Sequence, residues 1–441
     1  MRDAKGFPSE ATLKTSARSR QRKLLNGTIG RFHWPATVLL MILVVAACGG
    51  STDNGLGGFQ GVGSEGLISV VDARAAFAAR DILALDGTAA DAAVAAAMVL
   101  AVVDPAAAGL GGGGACLVHD SFNEETQLLD FLPATPGGGA GRGIAMVPGS
   151  VRGLFMLSHK YGRLEWWQLI GPAARLARFG SLVDGGLTGD LAAAAERLRG
   201  DRSARAIFFD KGAPLATGSD ISQLELSATI GRLARNGAGD FYVGAVAGAL
   251  SRGAEAIGMT LQRRDLADYR STWRAAKSRQ IQTLTVESAG TLDQPAAPAS
   301  VGLTVADPEG LWVACAFGMG TPFGSGRMAE TTGVFLAEPS ADPWLGAAGP
   351  MLIRNDDIVV GIAAGGAKAA LPGMLAAATD GGAPSAMVQP SCARLAPFRW
   401  QPVRLPEPSD DGFGNAVGAR CRAGRHRALL RHGSPACRQP A

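Results

Sequence analysis

The residue in this chain best placed to do chemistry is Ser300. It ends a Pro/Ala stretch, Pro295-Ala-Ala-Pro-Ala-Ser300, and leads into the apolar alternation Val301, Leu303, Val305. A serine set between a loose linker and a buried strand can be released as a new N-terminus. Its hydroxyl is then a nucleophile, and its own α-amino group, with a reference pKa of about 8, can take up a proton at neutral pH. The bond opened in that reading is Ala299–Ser300. Most serines before strands are turn residues only, so the assignment has to rest on what the rest of the chain builds around this one.

The elements that would position it can be read along the chain. The Asp307-Pro-Glu-Gly310 turn closes the strand, and Leu311–Phe317 reads as its neighbour. Val70–Leu85 is a strand entering an Ala-rich helix. A second helix follows, with Thr88 as N-cap, Asp91 in the first turn and Pro105 at the end. Alanine covers nearly every face of that helix, which suits the interior of a layered protein. Gly109-Leu-Gly-Gly-Gly-Gly114 then precedes the strand Ala115–His119. The run lacks the Gly-Lys-Ser/Thr ending of a phosphate loop, so its glycines are expected to permit close backbone packing. Helical spacing extends over Leu154–Tyr161, Leu164–Phe179, Leu187–Arg199 and Leu224–Asn236, with Trp166, Trp167, Leu169, Ile170 and Leu176 expected in the core. A further element is expected to begin at Leu266. Strands are expected at Gly333–Ala337, Met351–Arg354 and Ile358–Ala363, then Gly365-Gly366 and a helix over Lys368–Ala378.

Composition narrows the class. The chain has 441 residues, 61 of them glycine, and a net charge of only +4. Its basic excess sits at the two ends, so the middle carries no electrostatic footprint for nucleic acid. No phosphate-loop lysine and no dinucleotide fingerprint are present, which removes nucleotide binding. The six cysteines form no Cys-x-x-Cys pair and have no histidine at ligand spacing, so no metal and no cofactor are expected. Cys116 and Cys315 lie in apolar runs and read as buried small hydrophobes.

The N-terminus reads as an address. Pro35–Cys48 is an apolar run behind Arg20, Arg22, Lys23 and Arg31, with the length of a signal-peptide core. Val45-Ala-Ala-Cys48 resembles a bacterial lipobox, in which Cys48 receives a lipid and becomes the mature N-terminus. Gly49–Asn54 is then a flexible tether. The bulk of the chain is expected on the periplasmic side of a bacterial membrane, anchored through Cys48.

Several of these motifs are similar, in order, to those of the γ-glutamyltranspeptidases. Asp86–Val118 resembles that family's Gly-Asn-Ala-Val-Asp-Ala-Ala helix and tetraglycine strand. Val147-Pro-Gly-Ser-Val-Arg-Gly153, Tyr161–Trp166, Pro172–Gly180, Asp240–Gly244 and Leu261–Arg270 match consecutive family motifs, as do Asp307–Gly310, Phe323–Gly326 and Gly365-Gly366. The resemblance covers about Gly66–Ala378. It implies an α/β (α+β) fold, the N-terminal-nucleophile hydrolase αββα sandwich. It also implies a precursor that cuts itself at Ala299–Ser300 into a heterodimer of its own two fragments, with Ser300 as nucleophile. Gly365 and Gly366 would stabilise the oxyanion through their backbone. The substrate would be a small amide or peptide.

The departures fall on the glutamate pocket. The family's Asp-Phe-Arg-Glu is Asp130-Phe131-Leu132-Pro133, and loss of a fork-shaped cation is not conservative. The Thr and Asn shortly after the nucleophile become Gly318 and Gly320. Two functions are therefore expected in competition. One is a shortened lipoprotein enzyme that transfers or hydrolyses γ-glutamyl or related amides. The other is a non-catalytic periplasmic lipoprotein that keeps the fold as a binding or structural module. The expected organisation is a basic extension (1–34), a signal core (35–47), a tether (48–65), a large-subunit-like region (66–299) and a small-subunit-like region (300–390). An Arg/Pro/Gly-rich tail (391–441) without regular structure, genuine or out of frame, completes it.

Overall fold

Two caps start the helical layer. The Asp72 side chain accepts from the N–H groups of Arg74 and Ala75 and opens α1 (Ala73–Ala84). Thr88 and Asp91 then exchange side-chain and backbone hydrogen bonds in a capping box that opens α2 (Ala89–Val103). All fifteen residues of α2 are buried. Its alanines let α1, α3 (Ser150–Tyr161) and α4 (Trp166–Phe179) approach closely, and its Met98, Leu100 and valines each contribute roughly 1.5–3 kcal/mol by leaving water. Asp91 also accepts from the N–H groups of Arg163 (2.7 Å) and Leu164 (3.2 Å), tying the α3–α4 connection to the start of α2.

In this computed structural model the residues described are 59–63, 66–139, 141, 143–281, 284–289, 300–340, 350–354, 358–364, 399–403 and 416–422. They form two large antiparallel sheets and three two-stranded ones, two of the latter built from the two-residue strands Ser181–Leu182, Phe209–Asp210, Ala213–Pro214 and Asp220–Ile221. The longer strands in chain order are β1 (Phe59–Gly63), β2 (Gly66–Val70), β3 (Gly113–Asp120), β4 (Glu125–Phe131), β5 (Thr272–Ala275), β6 (Lys277–Ile281), β7 (Leu284–Ser288), β8 (Ser300–Ala306) and β9 (Leu311–Gly318). There follow β10 (Arg327–Ala329), β11 (Val334–Leu336), β12 (Met351–Arg354), β13 (Ile358–Ala364), β14 (Arg399–Val403) and β15 (Ala416–Arg422). The first sheet has the order β1-β2-β8-β9-β3-β4-β5, and the second β6-β7-β12-β13-β15-β14. Helices α1, α2 and α3 pack on the first sheet, and β13 packs on β8 and β9 from the other side. The first sheet therefore has two cores. Val301, Leu303, Val305, Val313 and Phe317 face the helices, while Leu67, Ala115, Leu117, Ala306, Trp312 and Ala316 lie in a separate cluster with Leu352 of the second sheet. The layers so described are helices, sheet and sheet. The helix expected over Lys368–Ala378 lies outside the described residues.

Most expected elements are present. Leu224–Asn236 is a helix with those bounds, and β12 and β13 fall where the apolar runs predict. Pro105, expected as a terminator, follows α2 and occupies the first turn of a short helix, Pro105–Ala108. Leu187–Arg199 is two helices, α5 (Gly185–Ala193) and α6 (Ala195–Arg199), and Leu266 falls inside the helix Arg263–Asp268 instead of beginning an element.

Three expectations need correction. Trp167 is 59% exposed, because the neighbouring Trp166 takes the inward position, packing edge-on to Phe155 and donating from its indole to the Leu233 carbonyl. Side chains one position apart on a helix point about 100° apart, and here the outward direction falls to Trp167. Cys116 and Cys315, read as separate hydrophobes, form a disulfide. The tail expected to lack regular structure contributes β14 and β15, with β15 pairing along all of β13. A backbone ladder of that kind does not require the hydrophobic alternation by which strands are recognised in sequence.

Candidate active site

Ser300 is the first residue of β8, which lies inside the first sheet between β2 and β9. Alternation along the strand sends Val301, Leu303 and Val305 to the helices. Ser300, Gly302 and Thr304 share the face of Ala306, toward the second sheet. Ser300 is half-buried. Its partner across the ladder is Gly318, which in turn pairs with Gly113 on β3. Further along the same face, Thr304 pairs with Ser69; both hydroxyls are buried, and neither has a partner among the described residues.

The far end of the strand is anchored by Asp307. One carboxylate oxygen accepts from the N–H of Ala89 (2.9 Å), the first residue of α2, and the other from Glu309 (3.1 Å) and Leu311 (3.0 Å). Burial pushes the Asp307 carboxyl above its usual range, against the pull of the N–H groups of Ala89 and Leu311. The strand that begins with Ser300 is thereby fixed lengthwise to the central helix.

The glycine run before β3 explains how close the neighbouring backbone comes. A Cβ on Gly112 would lie 2.3 Å from the Gly318 carbonyl oxygen, and one on Gly113 would lie 2.3 Å from that of Phe131. Gly149 and Ser150, at the start of α3, donate to the Gly112 carbonyl. These contacts pack the loop before β3 and the start of α3 against the end of the sheet where β8 begins.

At the position where the resemblance expects an arginine stands Leu132. Its carbonyl accepts from the Tyr269 hydroxyl (2.9 Å), and its N–H donates to Asp130 (3.2 Å). Asp130 is in turn ion-paired with Arg274 at 2.9 Å. Gly318 ends β9, and Gly320 sits in the following turn at φ +78°. That turn is held by a residue the sequence did not single out, Arg197, whose guanidinium reaches it from α6. Of the expected site residues, Ser300 alone can be placed. Ala299, Gly365, Gly366 and Cys48 lie outside the described residues, although β13 ends at Ala364, immediately before the glycine pair. Among the described residues no group of three His, Cys, Asp or Glu side chains could hold a metal ion.

Comparison with known proteins agrees with this architecture. Residues 75–301 match the family model described as gamma-glutamyltranspeptidase. The chain belongs to the γ-glutamyltranspeptidase family. It is 33% identical over 230 residues to the glutathione hydrolase proenzyme of Escherichia coli, covering 48% of this chain and 39% of that one. It is 32% identical over 236 residues to the capsule biosynthesis protein CapD proenzyme of Bacillus anthracis, covering 51% and 44%. The chain thus spans less than half the length of these relatives. The crystal structure of cephalosporin acylase from Bacillus halodurans superimposes with a TM-score of 0.65 over 85% of this chain and 97% of that one, at 17% identity. That likeness establishes the fold, the N-terminal-nucleophile hydrolase sandwich.

Proposed function

We propose that this chain is a self-cleaving enzyme of the γ-glutamyltransferase type, with Ser300 as its nucleophile. The observation that carries the reading is the place of Ser300, first in an interior strand of this fold and facing the space between the sheets. In the cleavage, Ser300 Oγ bonds to the Ala299 carbonyl carbon as the C–N bond breaks, and the hydroxyl proton passes to the departing nitrogen. Water then hydrolyses the resulting ester, leaving an Ala299 carboxylate and a free Ser300 amine. In turnover the same hydroxyl attacks a substrate amide while the Ser300 amine takes its proton and passes it to the leaving amine. The acyl ester formed is released to an amine acceptor or to water. Gly365 and Gly366 are the proposed oxyanion donors.

The substrates are γ-glutamyl amides such as glutathione, or related amides. Leu132 offers no cation for an α-carboxylate, so the acyl group need not be glutamyl. A second reading has its own observation. With Leu132 apolar and Asp130 engaged by Arg274, the pocket has lost groups for its ligand, which favours a non-catalytic lipoprotein that keeps the fold. In either reading we place the chain outside the cytoplasm, anchored through Cys48. The Cys116–Cys315 disulfide supports an oxidising compartment.

Intact mass of the purified chain after reduction of its disulfide, with Ser300→Ala beside it, tests the proposal. Two pieces meeting at Ala299/Ser300 in the wild type only, followed by turnover of γ-glutamyl or other acyl anilides, support the enzyme. An uncut chain in both would leave the binding lipoprotein.

A further inference from the structure

The turn after β9 departs from Gly318, the strand partner of Ser300, and it is built in a conformation that side chains avoid. Gly320, Phe323, Gly324 and Gly326 all have left-handed backbone, with φ of +78°, +62°, +59° and +71°. For Phe323 that conformation is strained, and the ring is locked in place, fully buried against Phe208 and Phe335 at centroid distances of 6.0 and 5.2 Å. Such strain persists only where the surroundings hold it. Here the Phe323 N–H donates to the Ala106 carbonyl (3.0 Å) and the Ser325 N–H to that of Leu336 (2.9 Å).

The solvent side of the turn is held by one residue. Arg197 Nη1 donates to the Gly324 carbonyl (2.9 Å) and to Thr321 Oγ1 (3.2 Å), and Nη2 donates to the Pro322 carbonyl (2.8 Å). Thr321 Oγ1 itself donates to the Gly324 carbonyl (2.7 Å). A Cβ on Gly326 would sit 3.0 Å from that of Arg197, so α6 lies directly on the turn. The rigid planar fork of the guanidinium matches three acceptors that one strained turn presents together.

We propose that Arg197 is a positioning residue for Ser300. It keeps the 320–326 turn in its left-handed form and so fixes the backbone at Gly318, against which Ser300 is registered. The proposal rests on Ser300 being the nucleophile. Attack on the Ala299 carbonyl depends on alignment of the reacting atoms, and displacement by an ångström can cost about a hundredfold in rate.

The test is the rate of self-cleavage in the full chain, with thermal melting recorded for every variant. Arg197→Ala should keep a cooperative melt, cut at least about tenfold more slowly, and recover part of the rate when guanidinium is added at concentrations too low to denature. Arg197→Lys should fall between the two, and Thr321→Val, which removes one acceptor, should show a smaller loss. In the processed protein kcat should fall with KM unchanged. A folded Arg197→Ala that cuts within twofold of wild type would overturn the proposal, as would a loss that guanidinium does not relieve and Arg197→Lys shares in full. If Arg197→Ala does not fold, Arg197→Lys and Thr321→Val decide the question by the same readout. A wild-type chain that stays whole, or a Ser300→Ala chain that is cut, would instead remove the nucleophile and this proposal with it.

Discussion

Cys116 on β3 and Cys315 on β9 stand directly opposite each other, Cα atoms 4.1 Å apart, and are joined by a disulfide. One precedes Ser300 in sequence and the other follows it. A cut before Ser300 therefore yields two polypeptides that remain covalently attached. On denaturing gels the processed protein should run as one band without reductant and as two with it. Cys315→Ala should release two bands under both conditions and, in the uncut chain, lower stability by about 2–4 kcal/mol. Two bands from the wild type without reductant would contradict the linkage.

His119 predicts a pH dependence. Thr126 donates its hydroxyl proton to Glu287 (2.7 Å), so the His119 Nδ1 bonded to Thr126 (2.9 Å) must carry hydrogen, and Glu287 also accepts from Arg354. Burial lowers the His119 pKa, and Arg354 lowers it further, against Glu287, Asp120 and Glu124. A histidine depressed in the fold binds protons more readily when unfolded. Its contribution is present in full above about pH 6.5 and is lost as the pH falls through the lower folded value. Asp104, Asp190, Glu225 and Asp307, all shifted upward, act in the opposite sense at lower pH. The measurement is thus a difference. Between about pH 7.5 and about pH 5 the wild-type melting temperature should fall more than that of His119→Asn. Parallel curves would show that His119 does not titrate on unfolding.

Asp307 should matter more for stability than its turn position suggests. Asp307→Ala strands the buried N–H of Ala89 together with those of Glu309 and Leu311, and should cost about 2–4 kcal/mol in urea unfolding. Asp307→Asn keeps an acceptor oxygen and should cost less. Equal losses would mean that the charge, and not the acceptor geometry, carries the effect.

Gly111→Ala should be among the most damaging single-methyl changes in the chain. Its Cβ would lie 1.8 Å from the Phe335 carbonyl oxygen, backbone that cannot swing aside. Loss of at least about 3 kcal/mol, or failure to fold, is expected on expression and melting. At Gly138, where an added Cβ meets nothing within 4 Å, alanine should be neutral.

What could be read in advance divides by range of interaction. The Thr88–Asp91 cap and the Leu224–Asn236 helix are local, and local chemistry settles them. The packing role of Gly109–Gly114 was also legible, since only glycine makes sense in such a run. The disulfide was not, because Cys116 and Cys315 meet only once β3 and β9 pair across 199 residues of sequence. Trp167 misled for a related reason: helical spacing names a stripe, and the neighbours decide which of two adjacent tryptophans enters it. The place of Ser300 at the head of β8 was legible from the apolar alternation that follows it. Arg197 was not, because its acceptors are mainly backbone carbonyls of a turn more than a hundred residues away.

The length of α2 has a consequence before the protein is folded at all. A chain sent through a membrane must not carry a second segment that lodges there. Fifteen residues of helix extend about 22 Å, short of the roughly 30 Å of hydrocarbon that a spanning segment must cross. None of the helices in the described residues is long and apolar enough to span. For the export route proposed here, this helix, the most apolar among the described residues, can thus pass through the translocation channel and find its apolar surroundings only afterwards, among α1, α3, α4 and the sheet.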